Sequence, residues 1–291
     1  MILLLKSYFE FGNNNMDILR FLYYNKIGRI ILKPLISRPV SELAGKLLDS
    51  RFSMILIDSF VRKNRIDKAD YLLDDIGSFN DFFCRRIKPG LRMISKEKTS
   101  LIAPSDGLLS VYKINDGTVL NVKQSRFTID RLLKDKKLAA GFDNGYVLVY
   151  RLCVNHYHRY VYFDSGKKYK DRRIDGLYHT VRPVALAEFP VYIENTREYS
   201  VINTDNFGRC VQMEVGAMLV GRIVNECPAS GSVSRGEEKG HFEYGGSTII
   251  VLIPEGKARL REDIAGSVNT GVEIPVVMGE AVGRTGEDIR K

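Results

Sequence analysis

The feature that most constrains the fold of this chain is a change of pattern near residue 100. Beyond that point, short runs of β-branched and aromatic residues are separated by Gly, Asp and Asn, which is typical of antiparallel strands in a compact sheet or sandwich. The runs are LLSVYKI, GYVLVYRLCV, YHRYVYF, VQMEVGAMLVGRIV and STIIVLI. Residues 126–140 look instead like one short helix. The C-terminal two thirds of the chain is therefore predicted to be rich in strands.

Residues 1–70 carry a helical pattern. Apolar side chains fall on one face at about 100° per residue, and basic side chains fall on the neighbouring face. The apolar set is Leu19, Tyr23, Ile27, Ile30 and Ile31, the basic set is Lys26, Arg29 and Lys33, and Pro34 is expected to end or kink the segment. Residues 1–65 hold 11 Lys and Arg against 5 acids. Such a helix can lie in an anionic membrane interface; the alternative is a helix packed on the core with solvated cations.

The amino-acid composition indicates which kinds of molecule the protein could bind. The 291 residues include 44 Lys and Arg against 35 Asp and Glu, a net charge of +9 that favours anionic partners. No nucleic-acid-binding motif is recognisable, so DNA and RNA binding are not expected. No apolar run approaches the length of a membrane-spanning helix, and the opening MILLLKSYFEFG does not resemble a signal peptide.

The cysteines point away from metal and dithiol chemistry. Cys84, Cys153, Cys210 and Cys227 form no CxxC pair, so they are predicted to be buried thiols in a reducing compartment.

A few residues could carry acid–base chemistry. His156 and His158 stand in NHYHRY, where strand alternation would put them on one face, and no third metal ligand is signalled nearby. Asp106 lies in APSDGLLSV, where Asp-Gly is also a common turn. His179, in GLYHTV, is isolated and on its own is more often structural.

The most informative segment is Gly245-Gly246-Ser247-Thr248, directly before the apolar run Ile249–Ile253. One interpretation is a Gly-rich hairpin turn with Ser and Thr as caps. The other is chemical: a serine hydroxyl can attack the carbonyl of the preceding residue, where glycine removes the obstructing Cβ. The resulting ester can undergo β-elimination, and hydrolysis of the dehydroalanine leaves a pyruvoyl group.

Six segments resemble, in order and at sensible spacings, the phosphatidylserine decarboxylase family of self-processing pyruvoyl enzymes. They are FNDFFCRRIKPG, APSDG, NHYHRY, GLYHTVRP, PVYIENTREY, and VGAMLVGRI followed by RGEEKGHFEYGGST. Together they extend from about Arg20 to Gly283.

The resemblance implies cleavage between Gly246 and Ser247, into a β chain of residues 1–246 and an α chain of residues 247–291. Ser247 would become the covalent pyruvoyl group, the pyruvate cofactor of the mature enzyme. Asp106 would orient a histidine that deprotonates Ser247, as in Ser-His-Asp enzymes.

The resemblance also implies the reaction, the conversion of phosphatidylserine to phosphatidylethanolamine and CO2 through a Schiff base on the pyruvoyl group. His158 is the expected proton donor. One position departs from the family pattern, because many members have a second histidine where this chain has Val161. We therefore favour His158 for self-cleavage as well, with His156 and His179 as supporting or alternative residues and no metal.

We predict an α+β fold, with a helical, membrane-associating region at 1–95 and a β-rich catalytic core at 96–291 shared by the two processed chains. The implied location is the cytoplasmic side of the cell membrane, peripherally bound. The implied partners are phosphatidylserine in an anionic membrane, the α and β chains of one precursor, and a possible homo-oligomer.

Three alternatives remain open. The same chemistry could act on another serine lipid or a free amino acid, or the chain could be a non-catalytic membrane-associated homologue. A conventional serine hydrolase is disfavoured because Ser247 lacks a G-x-S-x-G elbow.

Overall fold

A computed structural model describes residues 15–115, 118–122, 125–218, 222–245 and 247–286 of the chain. Helices come first, and short helices recur between the later strands. Their bounds are α1 Asn15–Tyr24, α2 Lys26–Leu35, α3 Arg38–Leu48, α4 Ile57–Asn64, α5 Phe79–Phe83, α6 Ile129–Leu133, α7 Lys136–Ala139, α8 Pro183–Leu186, α9 Val191–Glu194 and α10 Glu262–Ala265. Short 3-10 helices span Arg51–Leu56, Lys68–Asp70 and Ala140–Phe142.

Strands dominate from residue 100 onward. Their bounds are β1 Tyr71–Leu72, β2 Arg86–Ile87, β3 Ser100–Ile102, β4 Gly107–Asn115, β5 Thr118–Val122, β6 Ser125–Thr128, β7 Tyr146–Leu152, β8 Arg159–Val161, β9 Gly166–Lys168, β10 Arg172–Ile174, β11 Arg197–Thr204, β12 Gly208–Val215, β13 Ile223–Asn225, β14 Gly231–Val233, β15 Glu238–Phe242, β16 Ser247–Ile253, β17 Ala258–Leu260, β18 Ile274–Val276 and β19 Ala281–Thr285. The predicted α+β architecture is confirmed, with helices in the N-terminal region and mainly antiparallel sheets after it. The domain boundary at residue 95 stays a prediction.

One large sheet organises the described core. Eleven of the described strands join it, in the order β14-β9-β11-β12-β16-β7-β4-β5-β6, with β10 beside β11 and β18 beside β4. Strands far apart in sequence are therefore neighbours, and β16 lies between β12 and β7. Two smaller sheets, β13-β15-β8 and β17-β19-β3, supply side chains to the apolar core on one face of the large sheet.

The apolar run of β16 is explained by burial on both faces. Successive side chains of a strand point to opposite sides. Ile250 and Leu252 join a cluster with the N-terminal helices, whereas Ile249 and Val251 join the cluster with the smaller sheets. A strand covered on both faces has no polar face to present, so STIIVLI does not alternate.

The N-terminal helices pack onto the large sheet. Leu19 and Tyr23 on α1 and Leu32 on α2 are buried in the first cluster. The two helices cross closely at Gly28, where an added Cβ would lie 2.0 Å from the carbonyl oxygen of Phe21. No helix within the described ranges combines the length and apolar character needed to cross a bilayer.

Two predictions about helix ends have different outcomes. The helix α2 ends one residue after Pro34, as predicted. The single helix predicted over 126–140 is wrong, because the chain forms α6 and α7 with Lys134 between them in the left-handed conformation, φ 47°. Asp135 then starts α7 by accepting a hydrogen bond from the Leu138 N–H at 2.9 Å.

Candidate active site

Three neighbouring strands begin or end at one place. Ser247, the first residue of β16, pairs with Leu152, the last residue of β7. On the other side of β7, Arg151 pairs with Leu108 near the start of β4. Neighbouring strands lie about 4.8 Å apart. Asp106, which directly precedes β4, therefore lies at the same end of the sheet as Ser247, two strands away.

The candidate histidines His156 and His158 lie in the loop that leaves β7 at this end. The prediction that they share the face of a strand is wrong, because β7 ends at Leu152 and the chain turns before His156. The strand β8, which directly follows this loop, is joined to the segment before Asp106, since the Val161 N–H donates a hydrogen bond to the carbonyl of Pro104 at 2.9 Å. The fold thus brings all three predicted elements, the acid, the histidines and the serine, to one end of the sheet.

Ser247 is fully buried and its hydroxyl is unrestrained. Its Oγ has no hydrogen-bond partner among the described residues. A buried hydroxyl without a partner costs free energy, and such groups in native structures often have a chemical role. Gly245 has φ +150°, a conformation that favours glycine. Gly246, the other half of the predicted cleavage site, lies outside the described residues.

His158 is fully buried with one nitrogen occupied and one available. The carbonyl oxygen of His156 lies 2.9 Å from Nδ1, so Nδ1 carries the proton and donates it. Nε2 has no partner among the described residues, and the imidazole packs on the Phe83 ring with 4.1 Å between centroids. Burial lowers the pKa of His158 to about 3. At neutral pH this histidine is uncharged, with a free lone pair on Nε2, which is the form a general base requires.

Asp106 is held by a cation and acts on the other histidine of the loop. The Arg92 guanidinium donates to both carboxylate oxygens, at 2.8 and 2.5 Å, and the Met278 N–H donates at 2.9 Å. Burial lowers the pKa of His156, and the negative charge of Asp106 partly opposes that effect. The Nδ1 atom of His156 accepts a hydrogen bond from the Cys153 N–H at 3.1 Å. Among the histidines, the electrostatic partner of Asp106 is therefore His156 rather than His158.

His179 packs against residues of α1 and of the segment before Asn195. Its ring stacks on Phe189 at 4.7 Å, with Nδ1 3.3 Å from the Tyr23 hydroxyl and Nε2 3.3 Å from Glu194. Burial lowers its pKa to about 4. The Asn195 amide holds the backbone of His179 from both sides, at 2.9 and 2.8 Å. This residue links α1 to the segment around Asn195.

Sequence reasoning missed a set of contacts that holds the segment before the predicted cleavage site. Asn80 on α5 accepts a hydrogen bond from the Tyr244 N–H at 3.2 Å and donates to Asp49 at 2.7 Å. The rings of Phe79 and Phe83 pack edge-on against Tyr244 at 5.0 and 5.1 Å. The FNDFF stretch belongs to a segment that carries the family resemblance, but its partner Tyr244 lies about 160 positions away, and no local pattern connects the two.

A pocket of about 390 Å³ opens beside this site. Tyr244 and Gly245, which lead toward Ser247, line it together with the end of β7 and the segment after His179. Leu19 of α1 forms part of the wall. The pocket therefore extends from the end of the sheet at which Ser247 lies to the N-terminal helix α1.

The cysteine prediction is half right. Cys84 and Cys210 are buried, and burial raises both thiol pKa values, that of Cys84 to about 12. Cys153 is only partly buried and Cys227 is exposed, because Cys153 follows the end of β7 and Cys227 lies in a loop after β13. Within the described ranges, no three His, Cys, Asp or Glu side chains are grouped to hold a metal ion.

Comparison with known proteins gives a consistent result. Residues 79–284 match the family described as phosphatidylserine decarboxylase. The chain is 42% identical over 270 residues to phosphatidylserine decarboxylase proenzyme 2 of Clostridium acetobutylicum, and the match covers 92% of each chain. It is 38% identical to the proenzyme of Ruminiclostridium cellulolyticum, over 91% of this chain and 90% of that protein.

The similarity extends to nearly full-length matches. The proenzyme of Clostridium botulinum (strain Kyoto) is 34% identical over 290 residues, 95% of this chain and 98% of that protein. The matched region contains the whole Asp106, His158 and Ser247 end of the sheet. The chain therefore belongs to the phosphatidylserine decarboxylase family of enzymes.

Proposed function

We propose that this chain is a proenzyme that cleaves itself between Gly246 and Ser247 and then decarboxylates phosphatidylserine to phosphatidylethanolamine and CO2. The observation that carries the proposal is the buried, unpartnered hydroxyl of Ser247 at the end of the sheet shared with His158. Proenzymes of the same family match this chain over nine tenths of its length.

Self-cleavage begins with proton transfer. The lone pair on Nε2 of His158 takes the proton of the Ser247 hydroxyl, and the oxygen attacks the carbonyl carbon of Gly246. The peptide C–N bond breaks as the amide nitrogen receives a proton, which converts the amide into an ester. Loss of the α-proton of Ser247 expels the carboxylate of Gly246. Water then replaces the nitrogen of the resulting dehydroalanine, releasing ammonia.

The residues present fit the pyruvoyl group that would follow. Ser247 is enclosed on all sides and its strand is central, so a group at this position is shielded from bulk water. A pyruvoyl ketone supplies an acceptor for the substrate amine and for the electrons released with CO2. His158, neutral and buried, supplies a proton-transfer group, and Asp106, held by Arg92, supplies a negative charge near His156.

The N-terminal helices favour a lipid substrate. Ile27, Ile30 and Ile31 on α2 are exposed beside the exposed ammonium groups of Lys26 and Lys33. Apolar side chains flanked by cations suit the interface of an anionic membrane, and each cation near that surface contributes about 1 kcal/mol. We propose peripheral binding at the cytoplasmic side of the cell membrane, with α1 and α2 against the lipid.

The experiment is a decarboxylation assay on mixed micelles containing phosphatidylserine labelled in the serine carboxyl. We expect release of labelled CO2 and formation of phosphatidylethanolamine, both lost in His158→Ala. His241→Ala, which changes a histidine of β15 outside the site, is the matched control and should keep the activity. Release from free serine but not from the lipid would favour the amino-acid alternative. No release from either, with correctly folded protein, would contradict the proposal.

A further inference from the structure

The pocket beside Ser247 has a one-sided charge. Its lining includes Arg151 and Arg182 and, among the described residues, no Asp or Glu. A concave site with one sign of charge and apolar walls concentrates ligands of the opposite sign. The pocket is therefore suited to an anionic group of the substrate.

The two arginines differ in whether a carboxylate already pairs with their positive charge. Arg151 is paired with Glu273 through two hydrogen bonds of 2.7 Å each, and its third contact is the Cys153 sulfur at 3.2 Å. Arg182 has no carboxylate within 4 Å among the described residues, and it is a partly exposed residue of the pocket lining. The unneutralised charge in this pocket is that of Arg182.

The backbone that carries Arg182 is held firmly. The Tyr23 hydroxyl accepts a hydrogen bond from the Thr180 N–H at 3.0 Å, and the Thr180 hydroxyl accepts one from the Arg182 N–H at 3.4 Å. Pro183 follows and fixes the next φ. These contacts fix the position on the pocket wall from which the Arg182 side chain extends.

The chemistry of the reaction decides which anion this arginine should bind. A serine phospholipid carries a carboxylate, which leaves as CO2, and a phosphodiester, which does not react. A cation paired with the carboxylate would stabilise the ground state more than the transition state and would slow the reaction. A cation paired with the phosphodiester stabilises both equally. Arginine is also the side chain that binds phosphate oxygens through two parallel hydrogen bonds.

Resting on the proposed function, we propose that Arg182 binds the phosphodiester of the substrate and thereby selects serine phospholipids over free serine and neutral serine derivatives. Only a methylene and an oxygen separate the Cα of the serine headgroup from its phosphorus. The residues that line the pocket with Arg182 include Tyr244 and Gly245, which lead to Ser247.

The test compares Arg182→Gln, which keeps polarity and size, with Arg182→Lys, which keeps a point charge without the paired geometry. The substrate is short-chain dihexanoyl phosphatidylserine, and O-hexyl-L-serine is the probe without a phosphodiester, used as a substrate or as a competitive inhibitor. Arg259→Gln, an exposed arginine on β17, is the matched control. Intact mass establishes that every variant is cleaved.

We expect Arg182→Gln to lower kcat/KM for the phospholipid by about 10- to 100-fold, mainly through KM, which is the size of a lost charge-assisted hydrogen bond. Arg182→Lys should show a smaller loss of about 3- to 10-fold. Recognition of O-hexyl-L-serine should be unchanged in both. As a readout independent of turnover, the uncleaved Ser247→Ala chain should bind dihexanoyl phosphatidylserine more weakly when Arg182→Gln is added.

Either of two results would overturn the assignment: an unchanged KM for the phospholipid in cleaved Arg182→Gln, or an equal loss for O-hexyl-L-serine. An uncleaved Arg182→Gln chain would also contradict it, because a phosphodiester contact has no part in self-cleavage. Failure of the proposed function is distinguishable, since the wild-type protein would then release no CO2 from phosphatidylserine.

Discussion

At the scale of single residues, the environment of His158 determines its chemistry. The NHYHRY segment identifies the residue, but it does not indicate a ring enclosed against Phe83 with a donor at Nδ1 and an Nε2 that has no partner among the described residues. Those properties arise from α5 and from the turn at His156, which are contacts between distant or irregular segments. Sequence patterns report periodicity and leave such contacts undetermined.

The buried, neutral state of His158 makes the stability of the protein depend on pH. Its pKa is about 3 in the folded protein, against the ordinary value of 6.5 in the unfolded chain. The unfolded state therefore binds the extra proton first, so the stabilisation is present above pH 6.5 and is lost as the pH falls toward 3. One pKa unit corresponds to about 1.4 kcal/mol, which gives a loss of about 2 kcal/mol between pH 6.5 and pH 5.

The measurement is urea denaturation of His158→Gln and its parent at pH 7 and pH 5, both in the uncleaved Ser247→Ala background. Glutamine does not titrate, so we expect the difference in unfolding free energy between the two proteins to shrink by about 2 kcal/mol at the lower pH. A difference that stays constant would show that His158 is not held neutral by burial.

At the scale of elements, the positions of the strands could be predicted from the sequence, but the pairing of each strand with its neighbours in the sheet could not. The apolar runs correctly located β4, β7 and β16, because each strand is apolar enough to stand out locally. Their adjacency depends on pairings between segments about 40 and 95 positions apart, which no local signal encodes. The family resemblance therefore predicts that Asp106 and Ser247 act together, whereas the strand pattern alone does not predict that they lie at the same end of the sheet.

In the N-terminal helices, too, the sequence pattern predicts the type of element but not its arrangement in space. One apolar face was predicted for Leu19, Tyr23, Ile27, Ile30 and Ile31, as if a single helix carried them. Asn25 instead separates α1 from α2 and caps α2, accepting a hydrogen bond from the Ile27 N–H at 2.8 Å. Leu19 and Tyr23 are buried, whereas Ile27 and Ile30 are 65% and 68% exposed. Because the helix is interrupted at Asn25, the residues predicted to share one apolar face are divided between a buried face on α1 and an exposed face on α2.

The exposed isoleucines give a test of membrane contact. We expect the double variant Ile27→Asn with Ile30→Asn to bind anionic phosphatidylglycerol vesicles at least about 10-fold more weakly, because two apolar side chains lose their transfer to the interface. Cosedimentation at low and high salt measures this, and wild-type binding should weaken with salt.

Val272→Asn with Val277→Asn, which changes two exposed side chains after α10, is the matched control and should leave binding unchanged. Equal binding of the isoleucine double variant and the wild type would show that another surface contacts the lipid.

At the scale of the whole molecule, the position of β16 predicts that the two chains of a processed protein would stay together. Cleavage before Ser247 would leave β16 hydrogen-bonded between β7 and β12 of the other chain. The two hydrogen bonds of Arg151 to Glu273 and the bond of Met278 to Asp106 also join the two segments. The α chain is therefore an internal part of the sheet and should not dissociate under native conditions.

The most direct test of self-processing is intact-mass analysis of the purified protein under denaturing conditions. The account predicts two chains, the smaller roughly 5 kDa, from 45 of the 291 residues of a 33.0 kDa precursor. That chain should be lighter by one ammonia than a chain beginning with serine, which distinguishes a pyruvoyl terminus from ordinary proteolysis. Ser247→Ala should remain a single chain, whereas Ser232→Ala, at an exposed serine, should cleave normally. A folded wild-type protein that persists as one 33.0 kDa chain would contradict the account.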